Sequence, residues 1–444
     1  MQGIGKLVAM VLAAGLVGCS GAPEASLSPE PTAASAVASP SVGPGATPTA
    51  ASSVPPTGAP IDPPSAAPET PSGTPPGTPP VAPSPTISAT PDAPSPTWNR
   101  VGRIGNGEIS IMSVVGFAGG FVAVGDRGLE GGTFAFSADG REWQVGSLSE
   151  TIQDCAGNPT NDAFVSGAAS DGQRILVLGK RLGYTTEICS DPDQGVGAGA
   201  ITWQSTDGQT WTRSSDFAHV HAIASHAWPI PGGGWEVSVS SWDRPSAIWQ
   251  SADGLSWHET ASFPEQVGSS IHGTADAAGM RLLEVQPDEE PLRLVTSSDG
   301  VNWSALNAQP AVSKFSYVKG MLSPAGAGMP WIIVSAEDLV GSAIWTSADL
   351  GAWTKHAFPG RRIVTNIVAI SDGYLATAER FGFYEIACDG GRCPGPAERQ
   401  YFSSDGISWT EIPLRLRAGA FFAESPAGVI AVGRFNGSVW LLER

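Results

Sequence analysis

From residue 98 onward, apolar and polar positions fall into short segments, each closing on a turn rich in Gly, Asn or Asp. Ser113–Phe117, Phe121–Val124, Thr133–Phe136 and Trp143–Val145 read as four successive strands separated by Gly-rich turns. The three-and-four spacing of an amphipathic helix does not appear, so the pattern predicts an all-β domain.

One phrase recurs six times along this stretch. It is first met as Ser137-Ala138-Asp139-Gly140-Arg141-Glu142-Trp143, and the Ser, Asp, Gly and Trp then return as Ser205, Asp207, Gly208 and Trp211. Ser251, Asp253, Gly254 and Trp257 follow, then Ser297, Asp299, Gly300 and Trp303. The last copies are Ser347, Asp349, Gly351 and Trp353, and Ser403, Asp405, Gly406 and Trp409. Successive Trp residues lie 68, 46, 46, 50 and 56 residues apart. Periods of this size mark stacked supersecondary units, and four short strands per unit is the β-propeller solution. The phrase suits a tight turn: Gly takes a positive φ without strain, Ser and Asp side chains accept the turn's own N–H groups, and Trp packs between sheets. The six Asp residues are therefore expected to be structural.

The phrase resembles the Asp-box (BNR) repeat of sialidase-like β-propellers, and the resemblance covers residues 98–444. That family usually places one residue between Asp and Gly; the fifth copy, Asp349-Leu350-Gly351, keeps this spacing and the others close it up. Past Trp409, Ala420–Ala423, Val429–Val432 and Val439–Leu442 give strands but no further box and no fourth strand. Pro96-Thr97-Trp98-Asn99-Arg100-Val101 looks like a strand that has lost its box. Joining it to the last three strands closes the ring without an open edge, which points to seven blades rather than six or eight.

The N-terminal part reads differently. Lys6, the apolar run Leu7–Val17 and then Gly18-Cys19 make a signal-peptide core too short to span a bilayer. Leu16-Val17-Gly18-Cys19 resembles a bacterial lipobox, which implies cleavage after residue 18 and lipidation of Cys19. Residues 19–97 form a lipidated Cys and a stalk: 22 of the 38 Pro lie in 20–97, with no Phe, Trp or Tyr. Such a stretch cannot offset the entropy of ordering, and its reach is roughly 50 Å as a coil or roughly 240 Å as polyproline II. The expected destination is extracytoplasmic, anchored to the bacterial membrane or envelope surface. Of the formal charge of −18, residues 98–444 carry −14, which makes nucleic acid a poor partner. Outside the cytoplasm, Cys155, Cys189, Cys388 and Cys393 are expected to form disulfides, with three pairings open; Cys388–Cys393 and Cys155–Cys189 would each stay within one blade.

Candidate chemistry is sparse. What the resemblance implies for a sialidase is an arginine cluster, a Tyr nucleophile helped by Glu, and an acidic proton shuttle. Its Arg-Ile-Pro tripeptide is missing, and Arg362-Ile363-Val364 is the nearest form. Tyr384-Glu385 are strand neighbours that would face opposite ways. His219 and His221 alternate onto one face of an expected innermost strand, with His226 nearby and His272 similarly placed in blade 4. They are weak candidates for zinc or copper, since no carboxylate or Cys joins them at ligand spacing. Asp191-Pro192-Asp193-Gln194-Gly195 is a calcium-loop fragment without later ligands, and Gly232-Gly233-Gly234 reads as a turn and not a phosphate cradle. No cofactor is expected. Trp228, Trp235, Trp242, Trp331 and Trp440 lie outside the boxes and are either inter-blade core or an exposed platform for sugars or a protein. The functional expectation is a non-catalytic propeller binding a protein or glycan in the envelope; the alternative is a sialidase-type glycoside hydrolase.

Overall fold

The structure, a computed structural model, describes residues 97–443 except 128–130, 154–158, 182–198, 216, 219–221, 242–243, 268–270, 286–291, 313–316, 325–327, 338–340, 381–397, 415 and 417–418. Cys19, Cys155, Cys189, Cys388, Cys393, His219, His221, Trp242, Tyr384, Glu385, Asp191, Asp193 and Gly195 lie outside the described residues.

Seven antiparallel four-stranded sheets form a closed propeller, with a two-stranded hairpin (Thr151–Gln153 and Pro159–Asn161) between the first two. Blade 1 runs Ser110–Phe117, Gly120–Asp126, Gly132–Ser137 and Gln144–Ser147, from the inside outward. Blades 2 to 6 begin with the inner strands Ala163–Ser170, Ile223–Pro229, Gly273–Ala275, Tyr317–Leu322 and Arg362–Ile370. Blade 7 takes Ala420–Ser425, Gly428–Gly433 and Ser438–Glu443 from the C-terminus and Thr97–Arg103 as its outermost strand. Thr97 lies opposite Glu443 and Trp98 opposite Leu442, so the N-terminal strand closes the ring as its missing box suggests.

The core follows from strands whose both faces meet a neighbouring blade. Second strands such as Ile175–Arg181 and Trp331–Glu337 are apolar and buried almost throughout, as sheets covered on both sides require. Among the described residues the buried apolar side chains gather into seven clusters, one per seam between blades. Trp228, Trp235 and Trp331 belong to these seams and Trp440 packs against one, so these four non-box Trp are core rather than an exposed platform.

The repeated turn has a second task besides reversing the chain. In each Asp-Gly copy an Asp Oδ1 accepts two N–H groups from the next residues; for Asp207 these are Gln209 at 2.8 Å and Thr210 at 2.7 Å. These donors pull the Asp207 and Asp253 carboxyls down to about 2 and lower those of Asp139, Asp299 and Asp405. The Gly then lies against the preceding blade. A Cβ on Gly208 would sit 2.6 Å from Phe136 Cδ2 of blade 1, and one on Gly406 would sit 2.5 Å from Ile332 Cδ1 of blade 5. Gly140 likewise abuts Ile430 of blade 7, and Gly254 abuts Leu176 of blade 2. The Trp that ends each phrase stands one residue before the outer strand; Trp143, Trp303 and Trp409 donate Nε1–H to the carbonyl of their own box Gly at 3.2, 3.1 and 3.2 Å.

The fifth copy departs from its sequence reading. Leu350, not Gly351, occupies the left-handed position, at φ 65°, where the other copies have Gly. Its side chain is buried in the blade 4–5 seam with Leu282, Leu294 and Trp345. The Asp349-Leu350-Gly351 spacing is therefore the same turn, with a leucine filling the space that elsewhere is closed by backbone contact.

Between blades 3 and 4 the seam holds a charge. Glu236 is fully buried; its Oε1 accepts Arg281 Nε at 2.5 Å and Gln250 Nε2 at 2.7 Å, and its Oε2 accepts Trp228 Nε1 at 2.6 Å. Arg281 completes its set on the Gly279 and Ser298 carbonyls at 2.9 and 3.0 Å. Gly300 lies directly over this network, where any Cβ would meet Gln250 and Glu236.

Candidate functional site

Chain order gives the two ends of the ring different characters. One end carries the boxes and the hairpins between first and second strands. The other carries the inter-blade links and the connections between second and third strands, which reach from Arg380 to Arg399 in blade 6. Five inner strands also bulge at matching places near that second end. The extra residues are Met112, Ser166, Ser225, Lys319 and Thr365. A bulge re-aims the side chains beside it, so it sets which groups line the channel.

Two histidines meet between blades 3 and 4, one of them beside the blade 3 bulge. The inner strand of blade 3 starts at Ile223, after His219 and His221, and His226 follows the Ser225 bulge. The His226 and His272 rings lie 4.2 Å apart between centres, tilted by 40°. His272 Nδ1 is 2.9 Å from Glu284 Oε2, and the Glu284 N–H donates to the His272 carbonyl at 2.9 Å. Glu284 is thus the carboxylate that sequence spacing failed to supply, placed by the pairing of neighbouring strands. Burial pulls the His226 imidazole down to about 3, and His272 beside it acts in the same direction. Among the described residues no three His, Cys, Asp or Glu side chains gather as a metal cage.

A second cluster spans blades 5 to 7. Glu398 stands just before the third strand of blade 6, and its Oε2 accepts the N–H of Gly419 in the link to blade 7. The Gly419 carbonyl accepts the Arg434 N–H at 2.9 Å, and a Cβ on Gly419 would press on the Arg434 stem. Burial pushes the Glu398 carboxyl up to about 7; the Gly419 hydrogen bond opposes this, Glu379 adds to it and Arg434 opposes it. Lys319, on the blade 5 bulge, has its ammonium lowered by burial and raised by Glu379. Arg434 Nε is buried without an acceptor among the described residues, and its guanidinium carbon lies 5.2 Å from the ring centre of Phe435. Phe435 is 56% exposed, the most open large apolar side chain among the described residues. The result is a carboxyl group, a guanidinium and an open aromatic face in one place, a combination that hydrogen-bonds and stacks. Sequence reading passed over all of these, because they lie on separate strands and connections with no shared motif.

The box end holds a groove of about 500 Å³ between the inner hairpins of blades 2, 3 and 4. Its two carboxylates are engaged by their own hairpins: Asp171 by Gln173 and Arg174, Asp276 by the N–H groups of Ala278 and Met280. Pro229, Pro231 and Gly232 line the rest, so the groove offers little chemistry.

Among the described residues the sialidase-type groups that meet do so away from the channel. Arg362 hydrogen-bonds Tyr401, and Arg399 pairs with Glu411 at 2.6 Å, which brings two Arg, a Tyr and a Glu together. Tyr401 and Arg399 stand on the third strand of blade 6 and Glu411 on its outermost. Tyr401 is buried, 4.8 Å between ring centres from Phe358, and burial raises its hydroxyl. The group staples the periphery of the blade.

No protein-family model matches the chain, and no curated protein matches it. Among solved structures, it is similar to YCF48 from Cyanidioschyzon merolae at 14% identity, over 78% of this chain and 98% of that one, with a TM-score of 0.49. It is also similar to the BP39L lectin from Burkholderia pseudomallei at 10% identity, over 78% and 97% of the two chains, with a TM-score of 0.48. A Trypanosoma rangeli sialidase matches at 12% identity over 66% of this chain and 56% of that one, with a TM-score of 0.40.

Proposed function

We propose that this chain is a lipid-anchored protein of the bacterial envelope whose propeller binds a ligand without transforming it, at the end that carries Glu398, Arg434 and Phe435. The observation that carries this reading is the open Phe435 ring beside a shielded carboxyl and a guanidinium whose buried Nε has no acceptor among the described residues. Such a set suits a sugar, whose C–H face stacks on the ring while hydroxyls bond the charged groups; a protein ligand offering an aromatic or polar loop is the other occupant. Cys19 holds the anchor, residues 20–97 form the stalk, and the six turns are read as Asp-box repeats with structural Asp. Cys155–Cys189 and Cys388–Cys393 are the disulfides this reading assigns.

One observation favours a second reading, a glycoside hydrolase. A carboxyl held near 7 with a second carboxylate, Glu379, acting on it is how a general acid is prepared. Both readings meet in one experiment. The soluble chain from Ser20 onward is applied to arrays of sialosides and cell-wall glycans, and mass spectrometry reads retention and cleavage. Retention without cleavage supports binding, cleavage lost in Glu398→Gln supports hydrolysis, and neither result on any glycan moves the ligand to a protein.

A further inference from the structure

On the far side of the ring from Glu398, the pair His226 and His272 is not absorbed by this function. We infer that these two side chains bind a first-row transition-metal ion of the imidazole-preferring kind, Cu(II) or Zn(II), with Glu284 orienting His272 from behind.

Three features converge on a ligand. His272 offers Nδ1 to Glu284, so the proton rests there and Nε2 is left with its lone pair outward. A carboxylate fixing the far nitrogen of an imidazole is the usual outer support of a metal-bound histidine. Glu284 is itself buried, with a side-chain exposure of 5%, and His272 remains 26% exposed, so the support is shielded while the ligand is reachable. His226 then arrives beside it: the extra residue Ser225 turns the strand, and Ser225 Oγ is pinned to Ser240 Oγ at 2.8 Å. Neither His226 nitrogen has a hydrogen-bond partner among the described residues. Metal–nitrogen bonds of about 2.0–2.1 Å join nitrogens up to about 4 Å apart, and the two ring centres lie 4.2 Å apart, close enough for both rings to reach one ion. Two imidazoles leave the remaining positions to water or to a donor atom of a bound ligand, so the site is open, unlike a closed structural zinc centre.

The test uses the soluble chain from Ser20 onward, titrated calorimetrically with Cu(II) and Zn(II), and the nitrogen hyperfine pattern of the Cu(II) complex. Expected are one ion per chain, two coordinated imidazoles, and affinity at least tenfold lower in His226→Gln and in His272→Gln. Glu284→Gln, which leaves both rings, is expected to weaken binding by about 10–100-fold. The double variant His219→Gln/His221→Gln is expected to keep the two-nitrogen signal. Unchanged binding in both single variants overturns the inference, and so does loss of binding confined to the His219/His221 double variant. If either single variant fails to fold, the other decides alone.

Discussion

Replacing Gly208 with alanine should destabilise the propeller more than replacing Gly172, although both glycines have a left-handed backbone. Gly208 has φ +74° and Gly172 has φ +87°, so an added Cβ strains each by about 1–2 kcal/mol. Around Gly172 a Cβ meets nothing within 4 Å. Around Gly208 it would stand 2.6 Å from Phe136 Cδ2, 3.0 Å from Val122 Cγ2 and 3.2 Å from Phe117 Cζ, all in blade 1. Carbon atoms rest about 3.5–4.0 Å apart, so the seam must open or the turn must lift. Overpacking of this kind adds about 1–3 kcal/mol, which gives totals of about 2–5 for Gly208→Ala against about 1–2 for Gly172→Ala. Urea midpoints at constant slope, measured side by side, read the difference. Equal losses in the two variants would refute the idea that the turn docks on the preceding blade, and would leave Gly208 as a turn residue only.

Leu350→Gly tests the same seam from the opposite direction: it relieves about 1 kcal/mol of backbone strain but empties a buried position, for a net loss of about 1–4 kcal/mol in urea unfolding. A gain in stability would mean the leucine fills nothing. Arg281→Ala leaves the Glu236 carboxylate buried without its charge partner and should lower stability by about 3–5 kcal/mol in the same assay, whereas a change near zero would mean that water reaches Glu236. Glu398 should make stability fall with rising pH. Its folded value near 7 exceeds its ordinary 4.5, so the folded state holds the extra proton between them. That contribution is complete below pH 4.5 and disappears as pH rises through 7, and Glu398→Gln should flatten this part of the profile. Parallel thermal profiles of the two proteins across pH 4 to 8 check this, and the same slope in both would refute it.

The propeller was legible because each blade spells out its own turn, and because ring closure left a visible remainder: three strands at one end of the chain and one at the other. The partner of each turn was not legible. Gly208 looks like any Asp-Gly glycine until Phe136, from the blade before, is brought against it. Leu350 reads as an inserted residue in sequence and as a replaced glycine in space, because φ and not spacing defines the position. The candidate sites failed to show for a related reason. His272 and Glu284 lie 12 residues apart and meet only across a strand pair, while Glu398, Gly419 and Arg434 come from three connections with no common motif. Sequence periodicity reports which face is buried; it does not report which loops share an end of the ring.

Binding through the open aromatic beside Arg434 rests on one decisive comparison. A ligand retained by the wild-type propeller is titrated against wild type and Phe435→Ala, with unfolding midpoints recorded for both. Phe435 is largely in solvent, so matched stability and a loss of at least tenfold in affinity are expected. Equal affinity in the two proteins would contradict it and place the ligand elsewhere on the ring.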